Sequence, residues 1–247
     1  MGHGLGYHGA PRTSEGRVVQ AVTRRVTVYR AGMNLLLVRH GETPWNREGR
    51  YQGRTDVALS EDGEAQARAL GRRLANLPIE IAICSPLART RRTAEAVLGE
   101  RSVTLETDAA LIEISHGQWE GQLASEVQLS HAEMFGTWRS RPDRDVPAGP
   151  GAETLGDVEE RAWPVLVRTC ARLGPDDTAL IVAHDAVNRV LLCRVLGLPL
   201  TRVWMFRQAP AALNVLAGPS LAELQVVRLN DAEHLGPLLQ EALHRAL

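Results

Sequence analysis

The sequence predicts an α/β fold, a three-layer α/β/α sandwich around a mostly parallel sheet. Three observations predict it. Short apolar runs of strand length (34–39, 79–85 and 178–183) alternate with segments of helical periodicity. Those runs are almost continuously apolar, as in strands buried on both faces. The first and last of them are each followed at once by a histidine, at the strand ends where ligands bind in such sheets.

The elements follow in order. Residues 1–32 stand apart: positions 1–16 are rich in Gly and His with no apolar periodicity, and 18–29 have the composition of a short strand. No cationic start leads into an apolar segment, so a secretory signal is not expected. We read 1–32 as a poorly ordered extension, with His3 and His8 as solvated tail residues, and 33–247 as a single domain. The first strand covers 34–39. Ser60 N-caps a helix whose first turn carries Glu61, Asp62 and Glu64 and whose apolar face is Ala67, Leu70, Leu74 and Leu77. A strand over 79–85 leads into a helix over 86–98, with Pro86 in its first turn and Gly99 at its end. Residues 103–106 read as a third strand and 139–150 as a surface loop. Thr154 caps a helix over 154–173 that Pro164 should kink. A strand over 178–183, a helix over 185–196 and two strands (213–217 and 221–229) joined at a Gly-Pro turn follow, then a helical terminus.

Composition excludes several function classes. The 247 residues are 44% hydrophobic and 23% charged, as in a globular chain long enough for one large domain or two small ones. Net charge is −1, so no global positive field recruits nucleic acid or an anionic membrane. No apolar run approaches the ~20 residues that cross a bilayer. All 28 basic residues are arginine, which excludes a Schiff-base, P-loop or kinase lysine. Cys84, Cys170 and Cys193 form no CxxC pair; Cys84 and Cys193 read as core residues, and a reducing cytoplasm is the simplest compartment.

The candidate chemistry sits at strand ends. The first strand closes with Arg39-His40-Gly41, and burying that arginine and histidine is costly without partners. Arg39 offers a planar fork of donors suited to phosphate or carboxylate. Gly41 permits a sharp turn and a close ligand approach, and Glu42-Thr43-Pro44 starts a helical turn whose N–H groups suit an anion. Arg89, in the first turn of the next helix, opposes the macrodipole and is mildly unfavourable unless an anion is near. Arg91 and Arg92 read as solvated face residues. The later strand ends at His184-Asp185. Two histidines could also ligate a metal, but neighbouring arginines repel cations and no HxH or HExxH spacing occurs. Arginine with histidine suits a phosphate group handled without a metal or other cofactor.

These segments resemble the histidine phosphatase superfamily, which includes the cofactor-dependent phosphoglycerate mutases. The resemblance runs from Met33 to about Leu235. Its carriers are Leu37-Val-Arg-His-Gly-Glu-Thr-Pro-Trp-Asn46, Arg50-Tyr-Gln-Gly53 with Asp56, Leu59-Ser-Glu-Asp-Gly63, Ser85-Pro-Leu-Ala-Arg-Thr-Arg-Arg-Thr-Ala94, Leu111-Ile-Glu-Ile-Ser-His-Gly-Gln-Trp-Glu-Gly121 and Ala183-His184. It implies a phosphoglycerate mutase-like sandwich and a phosphohistidine intermediate on His40. Arg39, Arg89 and His184 would hold the phosphoryl oxygens, Asn46, Gln52 and Gly53 would add contacts, and Glu113 would serve as general acid and base. Glu113 should have a raised pKa beside a phosphate dianion. His116 lies off the motif as a substrate-side or surface residue. Asp185 stands where the family often has glycine. It is counted among the substrate-site residues, and it could cap the following helix, point away from the phosphate or orient His184.

Two activities share such a pocket. Mutases of the family carry a longer, lysine-containing insert between the acid and the second histidine; here that stretch is short and lysine-free. The resemblance therefore implies hydrolysis of a small phosphomonoester, with a cofactor-dependent phosphoglycerate mutase as the alternative and a non-catalytic phospho-ligand binder as the third reading. The segment ending at Leu235 resembles the tail of bacterial phosphatases of this family. A homodimer is left open.

Overall fold

Strand β1 (Met33–Arg39) is buried along its whole length, which is why it reads as an unbroken apolar run. The structure, a computed structural model, describes Met1 and residues 32–236. The N-terminal extension, the strand expected over 18–29 and the helical terminus lie outside these residues. Helix α1 (Pro44–Glu48) follows β1, closed by a Thr43–Asn46 capping box. Helix α2 (Glu61–Arg73) is capped by Ser60. Strand β2 (Ile81–Cys84) and helix α3 (Ala88–Leu98) come next, then strand β3 (Leu105–Thr107). Helices α4 (Ala124–Ser130) and α5 (Ala132–Ser140) precede α6 (Leu155–Ala171). Strand β4 (Thr178–Ala183), helix α7 (Asp185–Val195), and strands β5 (Leu213–Gly218) and β6 (Gln225–Asp231) complete the described chain.

The six strands form one sheet in the order β3-β2-β4-β1-β5-β6. β3, β2, β4 and β1 run parallel, while β5 pairs antiparallel with β1 and β6 antiparallel with β5. Side chains alternate across this sheet. Leu35 and Leu37 of β1, Ile81 and Ile83 of β2, and Ala179 and Ile181 of β4 pack with α6 and α7. Leu36, Val38, Ala82, Cys84, Leu180 and Val182 pack on the other face with Leu70 and Leu74 of the α2 segment and Ala94 and Val97 of α3. The sheet thus lies between two helical layers, as the fold class requires.

Several boundaries differ from the sequence reading. α3 begins two residues later, since Leu87 occupies the N-cap after Pro86. β3 sits one or two residues downstream. Residues 221–223 form a 3-10 turn before β6 begins. α6 continues through Pro164 as one helix; Glu160, whose carbonyl loses its donor there, lies on an exposed position. The expected surface loop over 139–150 is overturned in part: Arg139 and Ser140 close α5, and Pro142, Ala148 and Gly149 are buried. Gly149 is covered by the Trp119 ring. The pair α4 and α5 carries no strong periodicity, and Trp138 of α5 is buried against the α6 and α7 core. Among the described residues no helix is long and apolar enough to cross a membrane.

Candidate active site

The parallel register sets Arg39 opposite Ala183, so His40 and His184 leave neighbouring strand ends together. The His40 N–H donates to the Ala183 carbonyl at 3.1 Å. The two imidazoles lie 5.2 Å apart, edge to face. His40 Nδ1 is 2.7 Å from the Gly41 carbonyl, a contact that fixes the proton on Nδ1 and the lone pair on Nε2. Gly41 has no room for a side chain: a Cβ there would press on the backbone of Gly63 in the first turn of α2. The Gly41 N–H donates to Thr93 Oγ1 at 3.0 Å, tying the turn to α3.

Two buried arginines flank this pair. Arg89 reaches back from α3 and donates to the Gly53 and Thr55 carbonyls, both at 2.8 Å. Gly53 adopts a left-handed conformation (φ 51°), and a Cβ there would strike Glu120. Arg39 donates to the Gln208 carbonyl and lies 3.4 Å from Asp185 Oδ1. Burial lowers the pKa of both guanidiniums, that of Arg89 to about 10. The Nε atoms of Arg39 and Arg89 are buried and have no hydrogen-bond partner among the described residues. Two buried cationic donors without a partner are costly to maintain unless an anion meets them.

Glu113 follows a 3-10 turn (Ala109–Leu111) and is buried. Its carboxylate accepts from the Ile114 N–H at 3.0 Å and from the Asp185 N–H at 3.1 Å. Burial, and then the negative charge of Asp185, push its pKa up, while the Ile114 bond and both arginines oppose the rise. The shift therefore exists before any phosphate arrives. His184 is fully buried, with Nε2 2.9 Å from Ser85 Oγ. Burial and the nearby Arg89, His40 and Arg39 hold its pKa well below the usual histidine range. Its Nδ1 has no partner among the described residues.

These groups border a small open pocket, lined by Arg39, His40, Asn46, Gln52, Gly53, Arg89 and Glu113 together with Arg50, Tyr51 and His116. Seven of the nine residues singled out from sequence thus share one wall. His184 and Asp185 are buried and are not among the lining residues. Asn46 Oδ1 accepts from the Thr43 N–H and Oγ1, so its side chain holds the start of α1. Gln52 Oε1 is buried without a partner among the described residues. Among the described residues no three His, Cys, Asp or Glu side chains group as a metal site.

Two open readings are narrowed. Of the two places expected for His116 the surface one is excluded: it is buried in the pocket lining, its Nδ1 lies 2.9 Å from the Ala148 carbonyl, and its ring packs on Tyr51. Asp185 does not cap α7. His184 occupies the N-cap without a side-chain cap bond, and the Asp185 carboxylate turns instead to Arg39 and to Arg189 Nε at 3.0 Å. Two buried guanidiniums outcompete the helix terminus for that charge.

Sequence reasoning missed Arg189, Gln208 and Asn214. The i,i+4 spacing of Asp185 and Arg189 was a readable signal. Gln208 had none: its carbonyl holds Arg39, and its amide exchanges bonds with Asn214, which in turn donates to the Leu37 carbonyl at 2.9 Å.

The sequence model of the histidine phosphatase superfamily (branch 1) matches residues 35–232. The chain belongs to this superfamily. Relatives on both sides of the phosphatase–mutase divide are similar to it. The phosphoserine phosphatase 1 of Hydrogenobacter thermophilus is 33% identical over 215 residues, 87% of this chain and 100% of that protein. A probable phosphoglycerate mutase GpmB of Erwinia tasmaniensis is 33% identical over 222 residues, 86% and 100% of the two chains. Among solved structures, Bacillus stearothermophilus YhfR superposes with a TM-score of 0.76 at 29% identity, covering 83% of this chain and 100% of that one. As a member of this enzyme superfamily, the chain carries the phosphoglycerate mutase-like sandwich that the resemblance implied.

Proposed function

We propose that this histidine phosphatase superfamily member is a metal-independent phosphomonoester hydrolase of small phosphorylated metabolites, working through a phosphohistidine on His40. The observation that carries the reading is the Nδ1 contact of His40 with the Gly41 carbonyl, which leaves the Nε2 lone pair for attack; His40 lines the same pocket as Arg39 and Arg89. His40 Nε2 attacks phosphorus while the bond to the leaving oxygen breaks, and protonated Glu113 gives its proton to that oxygen. Water then attacks the phosphohistidine, Glu113 takes its proton, and the P–N bond breaks to release phosphate. Arg39, Arg89 and His184 meet the non-bridging oxygens; the guanidiniums neutralise charge that a metal carries in other phosphoryl-transfer sites. Asn46, Gln52 and Gly53 border the phosphate end. His184 donates there only when its proton sits on Nδ1. Ser85 favours that tautomer by donating to Nε2 while its oxygen accepts from the Leu87 N–H.

The short, lysine-free stretch between Glu113 and His184 supports water as the acceptor. The likeness to probable phosphoglycerate mutases is the observation that favours the second reading, a cofactor-dependent mutase. The test is p-nitrophenyl phosphate turnover in EDTA, with rapid denaturation in alkaline detergent to trap the acid-labile phosphoenzyme, followed by a panel of glycerol phosphate, O-phosphoserine, 3-phosphoglycerate and sugar phosphates. Turnover that persists in EDTA, vanishes in His40→Ala and leaves phosphate on His40 supports the hydrolase. Conversion of 3- to 2-phosphoglycerate dependent on 2,3-bisphosphoglycerate replaces it with the mutase. An unmodified His40 during turnover overturns both.

A further inference from the structure

Asp185 is unusual for its surroundings. It is buried at the first position of α7, where the resemblance implies glycine, and it joins three groups of the candidate active site. Its carboxylate lies 3.4 Å from Arg39 Nη1 and 3.0 Å from Arg189 Nε, and its N–H donates to Glu113 at 3.1 Å. Arg189 is itself anchored: Nη1 donates to the Val203 and Phe206 carbonyls, and the guanidinium lies 5.1 Å over the Trp204 ring. A buried carboxylate between two anchored guanidiniums has little freedom, and so neither does the fork of Arg39.

We infer that Asp185 is a positioning residue: its carboxylate fixes the direction of the Arg39 fork and supplies a negative charge facing Glu113. The inference rests on the phosphohistidine reading above. A negative charge behind the acid keeps it protonated until the leaving group takes the proton. Balance matters here, because Asp185 would repel a phosphate dianion if its charge were not divided between Arg39 and Arg189. The charged and titratable groups facing Glu113 are Asp185 from α7, Arg89 from α3 and Arg39 from β1, with Arg161 of α6 on its backbone carbonyl. Those facing Asp185 are Arg39, Arg189, Glu113, Arg139 from α5 and His116. Among these, Asp185 is the group that raises the Glu113 pKa, in the same direction as burial.

The test compares Asp185→Asn with Arg189→Met in the full chain. kcat/KM is followed against pH with the alkyl phosphomonoester hydrolysed fastest in the panel above, and Glu113 titration is followed directly by carboxyl carbon-13 NMR against Glu113→Gln. Removing the negative charge lowers the Glu113 midpoint, so the alkaline limb of kcat/KM should move down by half a pH unit or more, with at least a tenfold loss at the optimum. Removing Arg189 leaves the charge of Asp185 less screened, so the limb should move up. Opposite movements support the inference; unmoved limbs or movement in one direction overturn it. A rate loss in Asp185→Asn with an unmoved limb marks packing alone and also overturns it. If Asp185→Asn does not fold, the direction seen in Arg189→Met decides. Failure of the phosphohistidine reading shows separately, as turnover that survives His40→Ala in the otherwise unaltered chain.

Discussion

Ser85 Oγ and His184 Nε2 are 2.9 Å apart, a bond that joins the ends of the neighbouring parallel strands β2 and β4. It sets which face of a fully buried imidazole looks toward Arg89 and His40. Ser85→Ala should leave Nε2 without a partner, loosen the tautomer and lower kcat/KM by about tenfold, on the order of 1.4 kcal/mol of transition-state stabilisation. Unfolding in urea should show a loss of roughly 1–3 kcal/mol, the usual penalty for orphaning a buried polar group. Full activity in this variant would remove His184 from the phosphate site.

Glu113→Gln separates the two chemical steps. p-Nitrophenolate leaves without a proton, so phosphorylation of His40 should proceed while its hydrolysis, which needs a base, slows by about 10²–10⁴-fold. The expected result is a burst of one nitrophenol per active site, followed by slow turnover and accumulated phosphoenzyme. With an alkyl phosphate the burst should be absent, because that leaving oxygen needs the acid. A burst of equal size with both substrates would contradict the role given to Glu113.

Arg89 tests the geometry of the fork. Each of its two terminal nitrogens gives one N–H to a carbonyl, of Gly53 or Thr55, which leaves a second N–H on each and the buried Nε–H for an anion. A lysine carries a point charge and cannot span both carbonyls while still facing an anion. Arg89→Lys should lower kcat/KM by about a hundredfold, near 2.7 kcal/mol, with inorganic phosphate binding by calorimetry weakened in parallel. Unchanged phosphate affinity would place the anion elsewhere.

Acid stability follows from two buried histidines and a half-buried one. Burial pushes His234 down to about 4, with Arg73 adding to the shift, and burial lowers His116 and His184 as well. An unfolded chain binds those protons near the ordinary histidine value of about 6.5, so it holds more protons than the folded chain below that pH. Stability should be complete above about 6.5 and fall as pH drops toward 4. His234→Gln should flatten part of that slope in urea unfolding measured from pH 7 to pH 4. An unchanged slope would show that His234 is protonated equally in both states.

Much of the fold was readable because burial on both faces leaves a mark on sequence. β1, β4 and α7 were found nearly residue by residue, since their apolar runs and polar ends are local signals. α2 was found through Ser60 and its acidic first turn. α4 and α5 were not, because they cover one side of the molecule with mixed surfaces and leave no clean period. Within the candidate site the motif residues were legible, and the partners that hold them were not. Gln208 is 169 positions from the Arg39 it restrains, and nothing local to either residue encodes that meeting.

By itself the sequence determined the chemical inventory: arginines without lysine, two histidines at strand ends, an acid in its own segment, and strands apolar enough to be buried. Only the tertiary structure decided how these groups bear on one another: that His184 rests on Ser85, that burial raises Glu113 without help from a ligand, and that Asp185 serves two arginines instead of a helix end. The reason is physical. Local pattern records which residues prefer to leave water, whereas a charge's partner and its pKa depend on which distant groups share its low-dielectric surroundings after the strands have paired.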